Sequence, residues 1–111
     1  MTDLINQNTI DMLRDLLEAG FGEVIDAFLT DTPKRLQEAQ SSAACADLAA
    51  LERATHAIKG SSSNIGATLV NFHASSIVDA CRSGNLPDPV AAVSALIQAF
   101  EQTKPQLEAL K

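Results

Sequence analysis

The apolar residues of this 111-residue chain recur at three- and four-residue intervals almost from end to end, and no segment alternates with the period of two that a half-buried strand needs. That spacing places one apolar stripe on each segment and predicts an all-α fold. A short first helix is predicted from an N-cap at Asn8 or Thr9, burying Ile10, Leu13, Leu16 and Leu17 and stopping at Gly20 in a left-handed C-cap. A longer second helix carries Phe21, Val24, Ile25, Phe28, Leu29, Thr32 and Leu36, with a kink at Pro33, whose ring crowds the carbonyl of Leu29. A small-residue linker, Ser41 to Ala46, leads to Asp47 as N-cap of a third helix, which runs from Leu48 to about Asn64 and is closed by Gly66. The fourth carries Leu69, Val70, Phe72, Ile77 and Ala80 and ends at Gly84-Asn85. Asp88 as N-cap with Pro89 at the first helical position opens a fifth, which buries Val93, Leu96, Ile97, Phe100 and Leu107 and is bent or ended by Pro105. Short connections between long helices favour antiparallel neighbours. The expected architecture is therefore an antiparallel up-down four-helix bundle with a short additional N-terminal helix, as one domain over residues 1–111.

Charge and composition remove several function classes. Fourteen acidic against eight basic side chains give a net charge of -6, which argues against a phosphate-backbone binder. All four aromatics are Phe, so base-stacking platforms are poorly supplied. Met1-Thr2-Asp3-Leu4 has no basic region followed by an apolar run, and the uncharged stretch from Gly60 to Val78 is rich in Ser, Asn and Gly. Neither a signal peptide nor a membrane span is expected, and the expected location is cytoplasmic. Met1 favours a free-standing protein over a module cut from a hybrid kinase. Cys45 and Cys81 form no CxxC pair and are expected as reduced thiols. A zinc site built from them with His56 and His73 would have irregular spacing, and no metal site is expected.

The third helix carries the chemistry. At 100° per residue, Leu51, Ala54, Ile58 and Ile65 fall roughly 160–220° round from His56, whereas Lys59, Gly60 and Ser63 fall within about 60° of it. The helix thus buries an aliphatic face and presents an imidazole, an ammonium, a gap and a hydroxyl outward. An imidazole is largely neutral at pH 7, and its ring nitrogen is a competent nucleophile without a neighbouring base. The Lys59 ammonium, three residues on, can offset the charge of a phosphoryl group arriving or leaving. A glycine in mid-helix costs roughly 1 kcal/mol relative to alanine, so Gly60 beside an exposed histidine points to close approach by another protein's backbone. Ser61, Ser62, Ser63 and Asn64 extend a small polar patch in which Ser63 is placed to donate to a phosphoryl oxygen. His73 falls on the apolar side of the fourth helix and reads as a packed structural histidine. Asp11, Asp15 and Glu18 read as a solvated helix face.

The run from His56 to Ala67, His-Ala-Ile-Lys-Gly-Ser-Ser-Ser-Asn-Ile-Gly-Ala, resembles the signature of histidine-containing phosphotransfer (HPt) domains, in which a His, a Lys-Gly pair and a Gly-Ala closure recur at this spacing. Phe28-Leu29-Thr30-Asp31-Thr32-Pro33 with Arg35-Leu36 resembles the family's kinked second helix, and Leu51-Glu52-Arg53-Ala54 its approach to the histidine. The resemblance covers nearly the whole chain. It implies a four-helix-bundle phosphocarrier whose histidine takes a phosphoryl group from the aspartyl phosphate of one receiver domain and passes it to the aspartate of another. By position, His56 is then the phosphoacceptor, Lys59 its charge partner and Gly60 the residue that lets a receiver dock closely. The implied partners are receiver domains of response regulators or of a hybrid histidine kinase, with Mg²⁺ on the receiver, no cofactor in this chain, and the chain itself a monomer. Many relay members place Gln or Glu on the next helix to hydrogen-bond the histidine ring. Here that position is Val78, with Asp79 adjacent, so either Asp79 takes the role through a small shift or the ring is oriented without it.

No glycine-rich phosphate loop, kinase fingerprint or acidic magnesium triad is present, so the chain is expected to be a stoichiometric carrier and not an enzyme with its own ATP site. The alternative is the HPt module of a chemotaxis-type kinase, phosphorylated by an ATP-binding domain. A second is a non-catalytic helical interaction module. The dimerisation helix of a sensor kinase fits poorly, because Ala57 follows the histidine where those helices carry an acid. The net charge argues against long-range attraction to an acidic receiver pocket. Docking is therefore expected to rest on apolar and small-residue contacts around Gly60, with the charges of Lys59 and Arg53 acting locally, and to depend weakly on salt.

Overall fold

The computed structural model describes residues 3–111; Met1 and Thr2, part of the N-terminal segment in which no signal peptide is expected, lie outside the described residues. The helices are α1 (Gln7–Leu17), α2 (Phe21–Ala44), α3 (Leu48–Ile65), α4 (Thr68–Ser83) and α5 (Pro89–Leu110), with a 3-10 turn at Glu18–Gly20 joining the first two. The four long helices pack in a ring, each touching the next and α5 returning to α2, while α1 lies against α2 and α3. Connections this short leave a chain little choice but to reverse, so consecutive helices run antiparallel. The all-α up-down bundle with a short leading helix is what the apolar spacing predicted. Among the described residues no helix is long and apolar enough to cross a membrane.

The predicted starts of α3 and α5 hold because their caps are local. Asp47 accepts a hydrogen bond from the Ala50 N–H at 3.1 Å, and Asp88 accepts one from the Ala91 N–H at 3.0 Å with Pro89 just behind it. Gly66 and Gly84 close α3 and α4 in the left-handed region, at φ 76° and 70°.

Predictions that depended on tertiary contact needed correction. The N-cap of α1 is Asn6, not Asn8 or Thr9: its side-chain oxygen accepts from the Thr9 N–H at 3.2 Å. Three polar candidates stand close together, and the choice is made by the bundle, since the Asn6 N–H donates to the Gly66 carbonyl at 2.8 Å. Gly20 is not a left-handed cap. It sits at φ -77°, and the positive φ falls on Glu18, where α1 gives way to the 3-10 turn. Leu16, predicted in the core, is 75% exposed, because only Ile10 is fully buried on α1, with Leu13 and Leu17 packed part-way beside it. Phe72 is 51% exposed, and Val24 is also at the surface.

The predicted linker from Ser41 is helix as far as Ala44. The run of small residues is a packing surface: Ala39 and Ala43 are buried in the core, and Ser42 turns its hydroxyl back onto the Glu38 carbonyl at 2.8 Å. Pro33 lies within an unbroken α2, and Pro105 does not end α5. Phe28 and Phe100 meet across the α2/α5 seam, with ring centroids 6.1 Å apart.

Gly66 joins the two ends of the site-bearing hairpin to α1. A Cβ there would stand 3.0 Å from Thr9 Cβ and 3.2 Å from the Asn6 carbonyl oxygen, on a backbone at φ +76°. Gly66→Ala is therefore expected to lower the unfolding free energy by about 2 kcal/mol in urea denaturation. A loss under about 0.5 kcal/mol, the scale of an ordinary surface change, would show that α1 does not hold this turn.

Candidate functional site

Leu51, Ala54, Thr55, Ile58, Ser62 and Ile65 turn one side of α3 into the bundle. The two buried hydroxyls are satisfied within the helix: Thr55 donates to the Leu51 carbonyl at 2.8 Å, and Ser62 to the Ile58 carbonyl at 2.6 Å. This corrects the reading of the serine run as one polar patch. Ser62 belongs to the core side, and Ser61 leans back on the Ile58 carbonyl at 3.3 Å. Ser63 is the serine that remains exposed toward the site.

On the other side His56, Gly60 and Ser63 are exposed and Lys59 is half-buried. These four line one open depression of about 360 Å³, joined by Asn64 and by Asn71 from α4. All four residues singled out in the sequence are thus brought together. Asn71 was missed. Its side-chain amide donates to the Lys59 carbonyl at 2.8 Å, tying α4 to the helical turn that leads into Gly60. The signal was weak: Asn71 is a polar residue between the buried Val70 and Ala74, and only the pairing of two helices gives it a partner.

Val78 is fully buried and apolar, and Asp79 is exposed and does not line the depression. The polar side chain that α4 contributes to the lining is Asn71. Lys59 makes no ion pair among the described residues, whereas the neighbouring α3–α4 pair Glu52 and Arg82 meets at 3.6 Å. The Lys59 ammonium is available for an incoming anion.

Two glycines on α3 and its end have opposite meanings. At Gly66 the fold itself demands the missing side chain. At Gly60 an added Cβ would meet nothing within 4 Å, and the backbone is ordinary helix. No contact within the chain accounts for a residue that costs roughly 1 kcal/mol in a helix interior. What the glycine leaves open is the outer surface beside His56.

The remaining candidates lie elsewhere. His73 is half-buried on α4, edge-on to Phe72 with ring centroids 5.3 Å apart, and faces the α4/α5 groove. Cys45 is exposed in the α2–α3 turn. Cys81 is half-buried, and burial, with Glu52 nearby, pushes its thiol pKa up, away from the reactive thiolate. Among the described residues no three His, Cys, Asp or Glu side chains gather as metal ligands.

A sequence model described as the Hpt domain matches residues 23–106, most of the chain. A search of curated proteins finds no match. Among solved structures, histidine-containing phosphotransfer protein B from Pseudomonas aeruginosa PAO1 superposes with a TM-score of 0.91 at 23% identity, over 96% of this chain and 92% of that one. A histidine-containing phosphotransfer protein from Medicago truncatula gives 0.82 at 23% identity, over 96% and 76% of the two chains. One from maize gives 0.75 at 24%, over 96% and 86%. At such identities the superpositions speak for a shared fold.

Proposed function

The chain belongs to the Hpt domain family, whose members carry phosphoryl groups between proteins in phosphorelays, and from that premise we propose that His56 is its phosphoacceptor. The observation that carries the proposal is the convergence of His56, Lys59, Gly60 and Ser63 on one open depression of α3.

The step balances without any group from this chain beyond the imidazole. A ring nitrogen of His56 attacks the phosphorus of an aspartyl phosphate on a receiver domain. The N–P bond forms, the acyl-phosphate O–P bond breaks, and the aspartate leaves as a carboxylate. Onward transfer runs the same exchange toward a second receiver's aspartate. The Lys59 ammonium stabilises charge on the phosphoryl oxygens, where electrostatics supply most of the catalysis. The Ser63 hydroxyl donates to one of those oxygens, and Gly60 leaves room for the receiver's backbone. Mg²⁺ belongs to the receiver, and this chain holds no ATP site of its own. It acts in the cytoplasm as a monomeric, stoichiometric carrier.

Mixing the chain with a phosphorylated receiver domain tests the reading. The expected product is a phosphoprotein labile to acid and stable to alkali, as a phosphoramidate bond is. An unlabelled chain, or a label stable to acid, would contradict it.

A further inference from the structure

The chain has eight cationic side chains in a total charge of -6. Three are neutralised within the chain: Arg14 by Asp11, Arg82 by Glu52 and Lys111 by Asp26. Of the five others, Lys104 stands on α5, and Lys34, Arg35, Arg53 and Lys59 all stand on α2 and α3. Lys59 lines the His56 depression. Lys34, Arg35 and Arg53 line a larger open groove between α2 and α3, of about 690 Å³, where Glu38 is the only acid. Three cations against one carboxylate make the groove locally positive by two charges, against the sign of the whole molecule.

The groove and the His56 depression share no lining residue, but α3 contributes to both. Arg53 precedes His56 by three residues, so the two side chains leave α3 within about 60° of each other, one turn apart. The lining between the charges is small or polar, including Gln37, Ser42 and Ala54, with no large apolar side chain to seat a hydrophobic helix. A specific protein contact needs about 800 Å² per partner, more than a depression lined by six residues supplies, so a partner seated on His56 must spread onto the adjoining surface.

We propose that the α2–α3 groove is a docking surface for an acidic segment of the receiver protein that exchanges its phosphoryl group with His56. This rests on the phosphotransfer reading and names what that reading leaves open: the part of the partner that is recognised by charge. It also revises the weak salt dependence inferred from net charge. A field of one sign on the docking face steers a partner even when the molecule as a whole repels it.

Lys34→Glu with Arg35→Glu is the informative variant, since both residues are exposed on α2 and neither lines the His56 depression. Its association with the receiver that phosphorylates the chain is expected to be at least about tenfold slower at low salt. The deficit should vanish near 1 M salt, where the Debye length is about 3 Å. Lys34→Gln with Arg35→Gln should fall between. Phosphorylation by the small donor phosphoramidate should proceed at the same rate in all three. Equal association rates at low salt, or a deficit that persists at 1 M, would overturn the proposal. A chain that accepts phosphoryl from neither donor would instead refute the phosphotransfer reading, and the proposal with it.

Discussion

His56→Gln, mixed with a phosphorylated receiver, is expected to acquire no acid-labile phosphate while keeping its helical content. The amide cannot form the N–P bond, so the loss is complete and not a fractional slowing. The fold should not notice the change. His56 is exposed, makes no side-chain hydrogen bond among the described residues, and sits on the face of α3 opposite Leu51, Ile58 and Ile65. A change at an exposed helical position of this kind stays within about 0.5 kcal/mol. The one other imidazole, His73, is half-buried against Phe72 in the α4/α5 groove and offers no comparable approach. Labelling that survives the substitution would remove His56 from the reaction.

Gly60→Gln is expected to separate stability from transfer. Because nothing beyond the adjoining backbone of α3 itself lies within 4 Å of an added Cβ, the new side chain meets no clash at its base. Relief of the glycine penalty should leave the protein as stable as before, or more so by up to about 1 kcal/mol. Transfer should slow by on the order of a hundredfold, since displacing a reacting group by about 1 Å costs that much. Phosphorylation by phosphoramidate, which needs no docked protein, should be affected far less. Unimpaired transfer from a receiver would mean that no backbone comes close at Gly60.

Much of this was legible in the sequence, and the reasons are local. Asp47, Asp88-Pro89 and Gly66 mark helix ends through bonds to residues three or four away, so α3 and α5 begin and α3 closes where the sequence places them. The outward grouping of His56, Lys59, Gly60 and Ser63 follows from helical geometry alone. What was missed depends on partners distant in the chain. Asn6 was passed over as a cap because its selection comes from the Gly66 carbonyl, and Asn71 because its amide meets Lys59 only when α4 folds onto α3. Ser41–Ala44 looked like a linker because small residues suit both a loop and a close helix contact, and only the burial of Ala39 and Ala43 decides between them. The distribution of charge was out of reach for a similar reason. A net charge averages over a surface on which three cations are already paired and three others line one groove between α2 and α3.

The central claim is that the imidazole of His56 carries the phosphoryl group, and the most direct measurement is NMR of the ¹⁵N-histidine-labelled chain after addition of a phosphorylated receiver domain. The account predicts that the ring nitrogens of His56 shift and one of them couples to phosphorus, while those of His73 do not. Phosphorus coupling at His73, or a phosphorylated chain in which neither imidazole has changed, would contradict it.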